Sequence, residues 1–67
     1  MKFERIKKLR QENKLTQQQI ADILKISQQR YSDYENGKYD IPNIVLLKIA
    51  NYYNVSIDYL FNRNIDK

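Results

Sequence analysis

The sequence predicts an all-α fold of five short helices, and three observations predict it. Apolar residues recur at three- and four-residue spacing along nearly the whole chain. Thr16, Ser27 and Ser56 each stand between an apolar residue and such a stretch, which is how a capped helix begins. Alternation of apolar and polar residues never persists beyond about four positions, so no strand is expected.

The 67 residues are read as one domain. A chain of this size buries only about 60% of the surface it exposes when unfolded, so its stability is marginal. Cys and His are both absent, which excludes disulfides and any His/Cys metal site. The core must come from close helix packing. Met1-Lys2-Phe3-Glu4-Arg5 opens a charged helical pattern and not a signal peptide. No apolar run approaches the roughly 20 residues that span a bilayer. The expected location is the cytoplasm, with no membrane partner. A net charge of +4 favours a polyanionic partner, but only modestly.

The first helix is expected over residues 2–12. Phe3, Ile6, Leu9 and Arg10 form its inward stripe, and Glu4, Arg5, Lys7, Lys8 and Gln11 its solvated face. The second starts at the cap Thr16. Gln19 can reach back to close a capping box, and Leu15 and Ile20 can form a hydrophobic staple. It runs to about residue 24, with Ile20, Ala21, Ile23 and Leu24 inward. The third repeats this grammar with Ser27 as cap and an Ile26–Tyr31 staple. It ends near Asn36, before Gly37, which adopts left-handed geometry at low cost. The fourth is expected over residues 43–53, after a turn set by Pro42, with Asn43 or Asp40 as cap. Ile44, Leu47, Ile49, Ala50 and Tyr53 make its core stripe. It is apolar on more than one side, which suits a central helix. The fifth has Ser56 as cap, a Val55–Leu60 staple and an end near Asn62 or Arg63.

Only Lys25-Ile26-Ser27 joins the second helix to the third. So short a join makes the two helices cross steeply, near a right angle. Ala21 is small enough for the close approach, and Ile26 can plug the corner. At about 100° per residue, Tyr31, Tyr34 and Glu35 share the inward side of the third helix. Gln29, Ser32 and Asp33 lie opposite, with Gln28 and Arg30 on the flanks. Gln can bond bidentately to adenine in the DNA major groove, and Asp33 can accept from the cytosine N4 amine. Asp33 also repels phosphates, which narrows binding. Taken alone, Gln28-Gln29 is an ordinary polar surface. Its meaning comes from its place at the start of a helix delivered by a tight turn.

Leu9-Arg10, Leu15-Thr16-Gln17, Ile20-Ala21, Leu24, Ile26-Ser27, Tyr34-Glu35-Asn36-Gly37, Pro42, Leu47-Lys48-Ile49-Ala50 and Val55-Ser56-Ile57-Asp58-Tyr59-Leu60 follow one another in a telling order. In this combination the chain resembles the Cro/cI-type, or XRE-family, helix-turn-helix of phage repressors and bacterial regulators, over about residues 6–61. The resemblance implies a compact five-helix, lambda-repressor-like domain that binds double-stranded DNA sequence-specifically and regulates transcription, as a repressor. No cofactor is expected, and no small-molecule ligand is evident. Gln28, Gln29 and Asp33 take base-reading positions, joined by Ser32. Gln17 takes a phosphate and neighbour-side-chain position, and Asn36 and Lys38 take phosphate positions after the third helix. Ser27, Arg30 and Tyr39 complete the phosphate candidates. Tyr39 either donates its hydroxyl to the DNA backbone or packs on Pro42. Arg10 and Glu35 match a partly buried ion pair, and both lie on the inward sides of their helices, where charges are rarely left unpaired.

The departures also carry expectations. Lys14, Lys25 and Asn54 stand where such proteins usually have Gly, at helix ends that call for positive φ. Tyr31 is bulkier than the usual aliphatic residue, so the third helix is expected to sit slightly displaced. Related proteins bind as dimers to half-sites about one helical turn apart, and a homodimer on a palindromic operator is expected here. Ile57, Phe61 and Ile65 remain once Leu60 enters the core. They either form that interface or finish the core.

The alternative is a protein-interaction module or the antitoxin subunit of a toxin-antitoxin pair. An enzyme is not expected. There is no His or Cys nucleophile and no Gly-rich phosphate loop, and Glu12, Asp22 and Asp40 are not paired at one site. A nonspecific nucleoid-type protein would carry more Lys and Arg than Gln and Asp on the reading face.

Overall fold

The computed structural model describes residues 4–61. Among these described residues five helices follow one another: α1 (Glu4–Glu12), α2 (Gln17–Leu24), α3 (Gln28–Glu35), α4 (Asn43–Tyr53) and α5 (Ile57–Leu60). No strand occurs among the described residues. Phe3 and the expected end of the fifth helix at Asn62 or Arg63 lie outside them.

One local unit is used three times. A residue with positive φ is followed by an apolar residue, then by a hydroxyl that caps the next helix. The units are Lys14-Leu15-Thr16, Lys25-Ile26-Ser27 and Asn54-Val55-Ser56, with φ of 56°, 61° and 57° at their first residues. In each, the apolar residue's amide N–H returns to a carbonyl of the helix just ended. Leu15 bonds to Arg10, Ile26 to Ala21 and Val55 to Ala50, all at 3.0 Å. These bonds satisfy carbonyls that the end of a helix leaves open. The hydroxyls then serve the next helix. Thr16 Oγ1 accepts from the Gln19 amide at 3.1 Å while Gln19 Oε1 accepts from the Thr16 amide at 2.8 Å, which completes the capping box. Ser27 Oγ accepts from the Arg30 amide at 3.1 Å and Ser56 Oγ from the Tyr59 amide at 3.0 Å. Each such cap stabilises its helix by about 1 kcal/mol.

Left-handed geometry costs a Lys roughly 1 kcal/mol more than a Gly. Lys25→Gly is therefore expected to stabilise the fold by about that amount, raising Tm by about 7 °C in a domain of this size. A thermal melt that shows Tm unchanged or lower would contradict the strain assigned to that position.

α4 begins differently. Pro42, and not Asn43 or Asp40, occupies its cap position and makes no side-chain cap bond. The Pro42 carbonyl instead accepts from the amides of Val45 and Leu46, both at 3.0 Å. The fixed φ of proline pre-sets this entry without a polar cap.

The core gathers Ile6 and Leu9 of α1, Ile20, Ala21 and Leu24 of α2, Tyr31 and Tyr34 of α3, Ile41, then Val45, Leu46, Ile49 and Ala50 of α4, and Leu60 of α5. Two expectations are corrected. Ile23 is 41% exposed, while Ile44 and Leu47 are 65% and 50% exposed. The inward stripe of α4 is Val45, Leu46, Ile49 and Ala50, with Tyr53 half-buried, so the helix is buried along one face only. Residues 44–47 are all apolar and offer two competing stripes. The stripe through 45, 46, 49, 50 and 53 stays apolar for the whole helix, whereas Ile44–Leu47 runs on to Asn51. The longer stripe removes more apolar area from water. Among the described residues, no helix is long and apolar enough to cross a membrane, and no acidic, His or Cys group could hold a metal.

Candidate nucleic-acid interface

The α2–α3 junction is built from the inside. Ala21 and Tyr31 are fully buried, and Ile26 packs half-buried against the core. Tyr31, Tyr34 and Glu35 are the buried residues of α3, so the helix is held by one side. Gln28, Gln29 and Arg30 are exposed on its first turn, and Ser32 and Asp33 are half-exposed behind them.

Beneath this helix lies the Arg10–Glu35 pair. Arg10 Nε donates to Glu35 Oε2 at 2.9 Å and Nη2 to Oε1 at 3.0 Å, a two-bond fork. Arg10 Nη1 also donates to the Leu15 carbonyl at 2.9 Å. One guanidinium thus ties α1, the turn before α2 and α3 together. Glu35 is only 2% exposed. Burial alone would raise its pKa. The hydrogen bonds and charge of Arg10, together with the Tyr31 hydroxyl and the Gln17 amide nearby, outweigh that and hold the carboxyl below its usual range. In return, the Glu35 carboxylate keeps Arg10 still more firmly protonated.

Two buried phenols flank this region. The hydroxyls of Tyr31 and Tyr53 have no hydrogen-bond partner of good geometry. The Tyr31 hydroxyl nonetheless lies near enough to Glu35 to favour the charged carboxylate. Burial, then the adjacent carboxylate, pushes the Tyr31 phenol far above its ordinary value. Burial, then Tyr52, pushes Tyr53 up to about 12.

The pair also reaches the surface through amides. Gln17 Nε2 approaches Glu35 Oε1 at 3.4 Å, and Gln28 Nε2 donates to Gln17 Oε1 at 3.0 Å. A carboxylate only accepts, so the Gln17 amide must turn its nitrogen to Glu35. Its oxygen then faces Gln28, and Gln28 must answer with a donor. Farther along α3, Gln29 Nε2 donates to Asp33 Oδ1 at 3.0 Å, and Asn36 Nδ2 donates to Ser32 Oγ at 3.3 Å.

After α3, Gly37 has φ of 79° and the Lys38 amide returns to the Asp33 carbonyl at 2.9 Å. The turn sets Tyr39 beside α3. The Arg30 guanidinium lies 5.0 Å from the Tyr39 ring centroid and the Lys38 ammonium 5.7 Å, so one exposed ring gathers two cations. Gln17, Gln28, Glu35 and Arg10 thus form one bonded chain, and Arg30, Lys38 and Tyr39 a second cluster. Ser27 is spent on its cap and Asn36 on Ser32. Ile57 and Phe61 pack half-buried against the core, and Ile65 lies outside the described residues. Sequence reasoning missed the Arg30–Tyr39 stack, because no periodicity links residues nine apart across a turn. It also missed the Gln29–Asp33 bond, although their i, i+4 spacing signals one.

Against known proteins, the model of the helix-turn-helix family matches residues 6–60, most of the chain. The chain belongs to the helix-turn-helix family. Its five helices make the lambda-repressor-like form of that fold, with α2 and α3 as the motif that names the family. It is 44% identical over 57 residues to the uncharacterized HTH-type transcriptional regulator YqaE of Bacillus subtilis (strain 168), covering 85% of this chain and 49% of that protein. It is 40% identical over 60 residues to the HTH-type transcriptional regulator ImmR of the same organism, covering 90% of this chain and 47% of that protein. The SPbeta prophage-derived uncharacterized HTH-type regulator YonR, also from Bacillus subtilis (strain 168), is 42% identical over 57 residues, 85% of this chain and 53% of that protein. The chain thus spans about half the length of the curated relatives it matches.

Proposed function

We propose that this helix-turn-helix chain binds double-stranded DNA sequence-specifically and represses transcription, with α3 in the major groove. The observation that carries this reading is the orientation of α3. Its apolar side and Glu35 are buried, while Gln28 and Gln29 stand exposed on its first turn with their amides held by bonded neighbours. Such a helix can offer fixed hydrogen-bonding groups to base edges. Its relatives' description as transcriptional regulators supports the same reading.

In this reading Gln28, Gln29, Asp33 and Ser32 face bases. Gln17, Ser27, Arg30, Asn36, Lys38 and Tyr39 face phosphates. A homodimer reads a palindromic operator with half-sites about one helical turn apart. Ile57, Phe61 and Ile65 are the proposed contact between the two copies.

Mobility-shift titrations at two salt concentrations test it. A groove binder that makes several phosphate contacts loses affinity steeply as salt rises. Gln29→Ala is expected to relax preference at one base pair and leave the salt slope unchanged. Lys38→Ala is expected to weaken all sequences alike and to reduce the slope by up to about one unit. Identical behaviour of the two variants would contradict this division of roles.

A further inference from the structure

We infer that Gln29 and Asp33 act as one acceptor unit that selects an amino base, adenine or cytosine, on the DNA strand it contacts. The inference rests on the reading that α3 enters the major groove, and deepens it. Its basis is the bond from Gln29 Nε2 to Asp33 Oδ1 at 3.0 Å. A carboxylate cannot donate, so the bond decides which way the Gln29 amide is turned. A free Gln can present its donor or its acceptor to a base, and so can read either an amine or a keto oxygen. This one has committed a donor to its neighbour one helical turn away. What remains toward solvent is Gln29 Oε1, the second Asp33 oxygen and a single Nε2 hydrogen. The unit is acceptor-rich.

In the major groove, adenine N6 and cytosine N4 are donors, whereas guanine O6 and N7 and thymine O4 are acceptors. Adenine or cytosine on the contacted strand therefore meets complementary groups. Guanine or thymine sets its keto oxygen against the oxygens of Gln29 and Asp33, leaving polar groups unpaired at a site stripped of water. The Asp33 charge also repels a misplaced phosphate, so the unit penalises a shift of register as well as a wrong base.

Selection of bound sites from a library of random-sequence duplexes, using the wild-type chain and its variants, tests this. The wild type is expected to show a half-site position preferring adenine or cytosine over guanine and thymine by roughly tenfold or more, the range of a good base contact. Asp33→Asn keeps the shape of the side chain and lets its amide turn a donor outward. It should reduce that preference below about threefold at the same position only. Gln29→Ala should act on the same base pair. Guanine or thymine selected there by the wild type, or an unchanged preference in Asp33→Asn, would overturn the inference, as would Gln29→Ala and Asp33→Asn acting on different base pairs. In each of those cases DNA binding itself would stand. Failure of the wild type to enrich any sequence would instead overturn the DNA reading on which the inference rests.

Discussion

Arg10→Met is expected to destabilise the fold by about 3–5 kcal/mol, the cost of leaving a buried charge without its partner. Glu35 would keep its place in the core and lose both bonds of the fork, and the Leu15 carbonyl would lose the Nη1 donor. A domain of this length has about 3–10 kcal/mol in total, so the variant should lose a large share of its stability and melt at a much lower temperature by circular dichroism. The double replacement Arg10→Met, Glu35→Met removes both charges together and should recover most of the loss, because apolar residues of similar volume often match or exceed a buried ion pair.

The same pair makes stability depend on pH, with opposite signs in the wild type and the single variant. The folded wild type holds Glu35 below its ordinary value of 4.5. The unfolded chain then binds the proton more readily. The pair's contribution is complete above 4.5 and is lost as pH falls through the folded value. In Arg10→Met, burial acts on Glu35 without the opposing guanidinium and raises its pKa, so acid should stabilise what folded protein remains. Urea melts between pH 3 and 8 separate the two cases. A single variant whose pH dependence parallels that of the wild type would show that Arg10 does not hold Glu35 charged.

Tyr31→Ala is expected to cost about 3–5 kcal/mol, as removal of a fully buried aromatic ring does. Tyr31 is the largest fully buried side chain among the described residues and lies at the back of α3, so its loss leaves a cavity under the exposed Gln28 and Gln29. Tyr31→Phe should change stability by less than about 1 kcal/mol, because the deleted hydroxyl had no well-formed hydrogen bond to lose. It should also move the alkaline limit. The wild-type phenol is raised above its ordinary 10.0, so the unfolded chain releases that proton first and stability is lost as pH rises above 10. Tyr31→Phe lacks this loss and keeps only the share from Tyr53, which titrates near 12. A Phe variant as unstable as the Ala variant would show that the hydroxyl, and not the ring, supports α3.

Much of the frame was legible because it is local. The capping box at Thr16 and the caps at Ser27 and Ser56 depend on residues three apart in the chain. The positive φ of Lys14, Lys25 and Asn54 follows from the place of each at the end of a helix. The buried side of α3 was readable for a similar reason, since Tyr31, Tyr34 and Glu35 are its only inward set and no second stripe competes. The Arg10–Glu35 pair needed more than spacing. Two inward charges on separate helices suggested it, and the resemblance of the surrounding motifs named the partners.

By itself, then, the sequence determined where the second to fifth helices begin, how three of the turns between helices are built and which side of α3 faces outward. Those features rest on backbone dihedrals and on bonds between near neighbours. Only the tertiary structure decided that Val45 and Leu46 are buried while Ile44 and Leu47 face water, since the all-apolar run 44–47 offers two stripes and the packed core selects one; it also left Ile23 exposed. It alone also set the direction of the Gln17 and Gln28 amides, through a buried carboxylate from another part of the chain, and stacked Arg30 on Tyr39. A side-chain amide has two ends of nearly equal size and opposite hydrogen-bonding sense. No pattern of residue types tells them apart until a neighbour that can only accept is folded against one of them.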